Sequence, residues 1–167
     1  LEPERLLVVV GDGAELVRET VGSDVAYVLQ EEQLGTGHAL KQAQAATAGV
    51  ADTVLVLYGD TPLIRPETLQ RMVAHHRKTC AAATILTFRP QNPAGYGRIV
   101  RNVETGQVEA IVEDKAATAE QKTIGEVNSG LLCFRDDWVW ARLDEIERQP
   151  GGEYYFCLLY TSPSPRD

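Results

Sequence analysis

The strongest constraint on this chain's fold is an alternation of short, wholly apolar runs with helix-period segments, joined through glycine-containing turns. Leu6-Leu7-Val8-Val9-Val10 is rich in β-branched residues and stops at Gly11-Asp12-Gly13, after which Ala14 to Glu19 reads as a short helix. Val25 to Leu29 repeats the strand, and Ala39, Leu40, Ala43 and Ala46 fall at helical spacing after Gly35-Thr36-Gly37. A third strand, Val54 to Tyr58, precedes a helix opened by Pro66, with Leu69, Met72, Val73 and His76 on one face. Strands that are apolar on both faces need cover on both, so the first half predicts an α/β layout: a mostly parallel sheet under helices.

From Ala82 onward the pattern turns to strands: Ala83 to Phe88, Gly97 to Arg101, Val108 to Glu113 and Val127 to Phe134, punctuated by Pro, Asn and Gly. A mixed, partly antiparallel extension is expected there. Trp138 to Arg148 reads as a final helix with Val139, Leu143 and Ile146 on its apolar side. With 167 residues, 44% of them hydrophobic, the chain can bury one domain's core and is too short for two ordinary domains.

Several function classes are excluded early. The apolar runs fall far short of the ~20 residues a helix needs to span a bilayer, and no charged segment precedes a cleavable apolar stretch, so a cytoplasmic, non-membrane protein is expected. Cys80, Cys133 and Cys157 are widely spaced and form no Cys-x-x-Cys pair, which reads as reduced thiols. A net charge of −8 offers no basic stripe for nucleic acid, although backbone amides and a metal ion still permit small anionic substrates. Gly11-Asp12-Gly13 lacks the third glycine of a dinucleotide fingerprint. The adjacent His75 and His76 do not converge on a metal, one of them being expected at the core, and Lys115 reads as a solvated loop charge.

Four places carry candidate chemistry. Gly35-Thr36-Gly37 lies between a strand and a helix, where glycines allow close approach and the helix start offers N–H groups to a base or phosphate; an ordinary turn with solvated glutamines is the alternative. Asp60 follows an apolar strand, at the edge where α/β proteins bind ligands, and a lone hard carboxylate suits Mg²⁺; shaping the turn before Pro62 would explain it equally. Tyr96 between Gly95 and Gly97 pairs an aromatic face with uncovered backbone, which fits a sugar or a plain glycine-rich hairpin. Glu113 and Asn128 sit at strand ends, either as sparse ligand-binding polar groups or as exposed ends.

Taken in order, Val28-Leu29-Gln30-Glu31-Glu32-Gln33-Leu34-Gly35-Thr36-Gly37-His38-Ala39, then Tyr58-Gly59-Asp60-Thr61-Pro62-Leu63-Ile64, then Asn92-Pro93-Ala94-Gly95-Tyr96-Gly97-Arg98-Ile99 resemble the N-acetylglucosamine-1-phosphate uridylyltransferase domain of the bifunctional GlmU family. Ile111 to Ala116 and Glu126 to Gly130 extend the match to roughly residues 6 to 155. Gly59-Asp60-Thr61-Pro62-Leu63 alone is common to many sugar nucleotidyltransferases, whereas the Gln-rich run ending at His38-Ala39 is far more specific. The resemblance implies a Rossmann-like nucleotide-diphospho-sugar transferase fold with a mixed, mostly parallel sheet, incomplete at both ends. It further implies that Gln30, Gln33, Gly35 and Thr36 contact uridine, that Tyr58 and Gly59 contact substrate, and that Gly97, Glu113 and Asn128 contact N-acetylglucosamine. Asp60 becomes the catalytic Mg²⁺ ligand. The implied substrates and product are UTP, N-acetylglucosamine 1-phosphate and UDP-N-acetylglucosamine, with cell-wall and lipopolysaccharide synthesis as the setting.

The resembled domain begins with Leu-Ala-Ala-Gly-x-Gly-Thr-x-Met, a triphosphate cradle that this chain does not contain. Its second magnesium ligand is an asparagine in a later segment, and after Gly152-Glu153-Tyr154-Tyr155 the family's Thr-Asp is replaced by Phe156-Cys157-Leu158. The expectation is therefore a partial domain over 1–157, a non-native tail over 158–167, and no turnover by the fragment alone. Trimerisation and acetyl transfer would belong to a hexapeptide-repeat domain that these residues lack. The competing expectations are a nucleotidyltransferase for another sugar phosphate, a non-catalytic nucleotide-sugar-binding module, and a truncated reading frame without a function of its own.

Overall fold

The computed structural model describes residues 1–146 together with Arg148, Gly152 and Tyr154. The proposed tail over 158–167 and the replaced Thr-Asp lie outside the described residues. The described residues form two compact units, one from Leu1–Val54 with the residues from Arg135 onward and the other from Leu55–Phe134.

In the first unit, β1 (Leu7–Val10) pairs in parallel with β2 (Ala26–Leu29), Leu7 opposite Ala26 and Val10 opposite Leu29. The connection runs through α1 (Ala14–Val21), as a parallel pair requires a crossover. Gly13 opens α1 with φ of 73° and Gly22 closes it with φ of 90°, conformations that a Cβ would strain. Tyr27 on β2 ties that end down, its hydroxyl donating to the Gly22 carbonyl at 2.6 Å while the Arg18 guanidinium lies 5.6 Å from its ring centre. α2 (Thr36–Thr47) buries Gly37, Leu40 and Ala43. Its neighbour α4 (Asp136–Leu143) buries Val139, Trp140 and Leu143, and Lys41 pairs with Asp144 beside them.

The second unit holds a five-stranded sheet. β3 (Thr53–Val56) crosses into it at Leu55, and the order runs β3, β7 (Val127–Arg135), β5 (Arg98–Arg101), β6 (Val108–Val112), with β4 (Ala83–Phe88) also on β7. The β4–β7, β5–β6 and β5–β7 pairs are all antiparallel. The chain is thus α/β, as expected, with a parallel pair in the first unit and antiparallel pairs where the sequence turns to strands. β7 is the core strand: Val127, Leu131, Leu132, Cys133 and Phe134 are fully buried. α3 (Pro66–Thr79) begins on a proline, whose missing N–H is harmless there, and lays Met72 and Val73 against Cys133, Leu55 and Leu86. Burial pushes the Cys133 thiol up to about 12.

His76 is the core member of the histidine pair, with Nδ1 2.9 Å from the Thr84 hydroxyl, and His75 is exposed. Boundaries shift modestly from the sequence expectation. β3 ends at Val56 and not at Tyr58, and α4 starts two residues before Trp138 and stops at Leu143, although Ile146 is still buried.

Candidate functional site

The expected site residues divide between the two units. In the first, the turn Gln30–Gly35 connects β2 to α2. Gln30 Nε2 donates to the Gly35 carbonyl at 3.2 Å and lies 2.9 Å from His38 Nδ1, and Gln42 completes the group at 3.0 Å from His38 Nε2. Gly35 has φ of 93°, so the turn into α2 demands glycine. Gln33 is exposed and lies over Gly11: a Cβ on Gly11 would sit 3.0 Å from Gln33 Nε2. Gly11, set aside as a dinucleotide turn, is therefore a close-approach glycine for Gln33.

The amides at the start of α2 are less open than the sequence suggests. Gly37 N–H donates to the Tyr154 carbonyl at 2.7 Å, and Tyr154 N–H in turn donates to the Leu34 carbonyl at 2.7 Å. Thr36 remains the first helical residue, beside this paired segment.

In the second unit, Gly97, Glu113 and Asn128 come together through strand pairing. Arg98 pairs with both Val112 and Val127, which brings the residues flanking those positions side by side. Asn128 N–H donates to the Gly97 carbonyl at 2.8 Å, and a Cβ on Gly97 would meet Glu113 Oε1 at 3.3 Å and Ile111 Cγ2 at 3.1 Å. β7 bulges against β4 just here, since Ile85 faces Leu132 whereas Thr87 faces Asn128. The bulge places Gly130 at φ of 82°, with its N–H on Asn128 Oδ1 at 2.9 Å. Tyr58 fills the space that a side chain at Gly130 would need: a Cβ there would fall 2.1 Å from Tyr58 Cε2.

Asp60 is exposed in a tight turn, in which Thr61 N–H and hydroxyl both donate to the Tyr58 carbonyl at 3.3 and 2.9 Å. Because β3 ends at Val56, Asp60 sits four residues beyond the strand and not directly at its end. Gly59 faces open space. Among the described residues no group of three or more His, Cys, Asp or Glu converges as a complete metal cage. A single open carboxylate nevertheless suits Mg²⁺, which takes one or two carboxylates and completes its shell with substrate phosphate and water.

Residues 1–129 match the profile of the MobA-like NTP transferase domain. The chain belongs to that family. Among curated relatives, it is 46% identical over 153 residues to the bifunctional protein GlmU of Halalkalibacterium halodurans, covering 91% of this chain and 33% of that protein. It is 43% identical over 156 residues to the bifunctional protein GlmU of Bacillus licheniformis, covering 93% and 34%. The chain spans about a third of the length of these relatives. The fold is shared with apo-UDP-glucose pyrophosphorylase, at a TM-score of 0.75 and 14% identity over 93% of this chain and 68% of the other. HddC from Yersinia pseudotuberculosis shares it at 0.65 and 19%, over 93% and 63%. Rossmann-like α/β architecture is thereby established, in a chain of the NTP transferase family.

Two charged groups flank the Gly97, Glu113 and Asn128 cluster, and motif reading did not single them out. Arg98 is buried, donates to Asp114 Oδ1 at 2.8 Å and to the Tyr96 carbonyl, and leaves Nε without a partner among the described residues. Glu126 receives Arg101 through two hydrogen bonds of 2.9 and 2.6 Å, the Thr87 hydroxyl at 2.8 Å and Arg89 at 3.4 Å. The Arg101 hydrogen bonds chiefly hold the Glu126 carboxyl down at about 2, against opposition from burial. Tyr96 packs edge-on to Phe88, ring centres 5.0 Å apart. Arg98 and Arg101, three residues apart at the two ends of β5, signal such pairs only once the register is known.

No helix among the described residues is long and apolar enough to cross a membrane.

Proposed function

We propose that this chain carries the sugar-recognising and metal-binding part of a uridylyltransferase that makes UDP-N-acetylglucosamine and pyrophosphate from UTP and N-acetylglucosamine 1-phosphate. The observation that carries the reading is the joining of Gly97, Glu113 and Asn128 on three adjacent strands. A backbone without side-chain cover, a carboxylate that accepts hydrogen bonds and an amide that both donates and accepts are the groups a sugar with hydroxyls and an N-acetyl arm requires. GlmU relatives at 43–46% identity support the same assignment.

In this reading Gln30 and Gln33 meet the uracil, and Gly35 and Thr36 let the nucleotide approach the backbone. Tyr58 and Gly59 line the substrate, and Asp60 holds Mg²⁺. Bound there, the ion would neutralise charge on the reacting phosphates. The chain's own residues would hold the base and the sugar, and in the transfer an oxygen of the sugar phosphate bonds to the α-phosphorus of UTP as the bond to pyrophosphate breaks. Positioning supplies most of the acceleration in such transfers, since the protein does little covalent work.

A nucleotidyltransferase for another sugar phosphate is the second reading, because Gly59-Asp60-Thr61-Pro62-Leu63 fits many. Competition separates the two. UDP-N-acetylglucosamine is expected to displace a labelled uridine nucleotide from the full chain at least about tenfold better than UDP-glucose. Glu113→Ala should erase that difference, and Asp60→Ala should erase any Mg²⁺-dependent gain in affinity. Equal displacement by both sugars would refute the N-acetylglucosamine assignment.

A further inference from the structure

Three hydrogen bonds around one imidazole determine which end of an amide faces outward. Gln30 Nε2 is 3.2 Å from the Gly35 carbonyl oxygen and 2.9 Å from His38 Nδ1. A carbonyl oxygen only accepts, so the end of the amide at Gly35 has to be the nitrogen, and Oε1 points away. With an N–H₂ group against it, His38 Nδ1 is the accepting nitrogen of a neutral ring, and the ring proton sits on Nε2. Gln42 Nε2 lies 3.0 Å from His38 Nε2 and 3.5 Å from the His38 carbonyl, so the Gln42 amide meets that proton with its oxygen only by turning over and giving up the longer contact. With Gln42 turned so, the His38 ring proton and the Gln30 amide nitrogen each meet an acceptor, and neither hydrogen bond of Gln30 uses Oε1.

We infer that His38 is a positioning residue for base selection: it locks the Gln30 amide so that Oε1, which can only accept, is the end offered to a nucleobase. The inference rests on the uridine role proposed for Gln30. Uracil carries an N–H donor at ring position 3, and cytosine carries a bare accepting nitrogen there. Two acceptors face to face leave both unpaired, so a locked amide rejects cytosine. A glutamine free to rotate would turn its N–H₂ toward cytosine and lose the distinction. Histidine suits the task because its neutral ring has one donor and one acceptor nitrogen. Anchoring the donor on Gln42 fixes the other as an acceptor, as outer partners of metal-bound histidines fix their tautomer. Gly35 sets the direction and His38 holds it.

The test titrates the isotope-labelled full chain with uridine and cytidine 5′-monophosphates and compares the two affinities. The wild-type chain is expected to favour uridine about tenfold. His38→Phe keeps a ring and removes both nitrogens, and the ratio should fall to within about twofold. His38→Asn, whose side-chain oxygen restores an acceptor, should recover most of the preference. Gln42→Met frees the tautomer without touching Gln30, so it should lower the ratio even if His38→Phe fails to fold. A purely structural His38 would weaken both nucleotides equally, and an unchanged ratio beside an intact wild-type preference would overturn the inference. A wild-type chain without preference would refute the uridine role of Gln30 itself, and the positioning role with it.

Discussion

Gly130→Ala tests the bulge that organises the sugar side of the candidate site. An ideal Cβ on Gly130 falls 2.1, 2.8 and 3.3 Å from Cε2, Cδ2 and Cζ of Tyr58, whereas carbon atoms rest at about 3.5–4.0 Å. Either the ring leaves or β7 opens, and overpacking of this kind costs about 1–3 kcal/mol. Separately, φ is 82°, where a side chain costs about 1–2 kcal/mol. The sum is about 2–5 kcal/mol, which at a urea slope of about 2 kcal/mol per molar lowers the unfolding midpoint by about 1–2.5 M. Urea titration followed by tryptophan fluorescence measures it. A double-mutant cycle with Tyr58→Ala isolates the steric part, because without the ring only the conformational 1–2 kcal/mol or so should remain. A loss of the same size in both backgrounds would refute packing of Tyr58 on Gly130.

Two further perturbations probe the scaffold. Glu126 titrates at about 2 when folded against an ordinary 4.5, so its stabilisation is fully present above the unfolded value and is lost as pH falls from about 4.5 toward 2. Arg101 is 42% exposed, which discounts the contribution to about 1–3 kcal/mol. Urea midpoints at pH 7 and pH 3 should therefore differ less in Glu126→Gln than in wild type, with the variant weaker at pH 7; parallel acid limbs would refute this. Cys80 closes α3 in a left-handed conformation, φ 48° and ψ 32°. Cys80→Gly should raise stability by about 0.5–1 kcal/mol in the same assay, and a lower midpoint would count against the cap reading.

The elements were legible because their signals are local. β-branched runs, the proline of α3 and glycines at turns gave every strand and α-helix, although α4 ends at Leu143 and not at Arg148 and nothing signalled the short 3-10 turn Gln121–Thr123. The antiparallel weight of the second sheet was partly legible, since the strands after Ala82 come without intervening helices. The site was legible only as a set of residue types. That Gly97, Glu113 and Asn128 meet depends on the register of β5 against β6 and β7, which leaves no mark in the pattern of apolar residues. Gly130 carried the available hint, a glycine inside an otherwise apolar strand. His38 stood in the most specific motif, yet its bracketing by Gln30 and Gln42 required the β2-to-α2 turn to be seen.

Glu126 shows why a shifted carboxyl need not mark the chemistry here. Strongly perturbed acids in a fold of this type are natural candidates for catalysis, and among the described residues Glu126 is the carboxylate most strongly held down. Its two oxygens already accept from Arg101, Thr87 and Arg89, which join β4, β5 and the segment opening β7. Little accepting capacity remains for a substrate proton. Its backbone carbonyl also takes Ile99 N–H at 3.0 Å, and two residues later Asn128 N–H donates to the Gly97 carbonyl. The ion pairs therefore pin the end of β7 that presents Asn128 beside Gly97. In the proposed transfer, which depends on orienting two anions and not on moving a proton through the protein, a rigid clamp belongs behind the contacts and not among them.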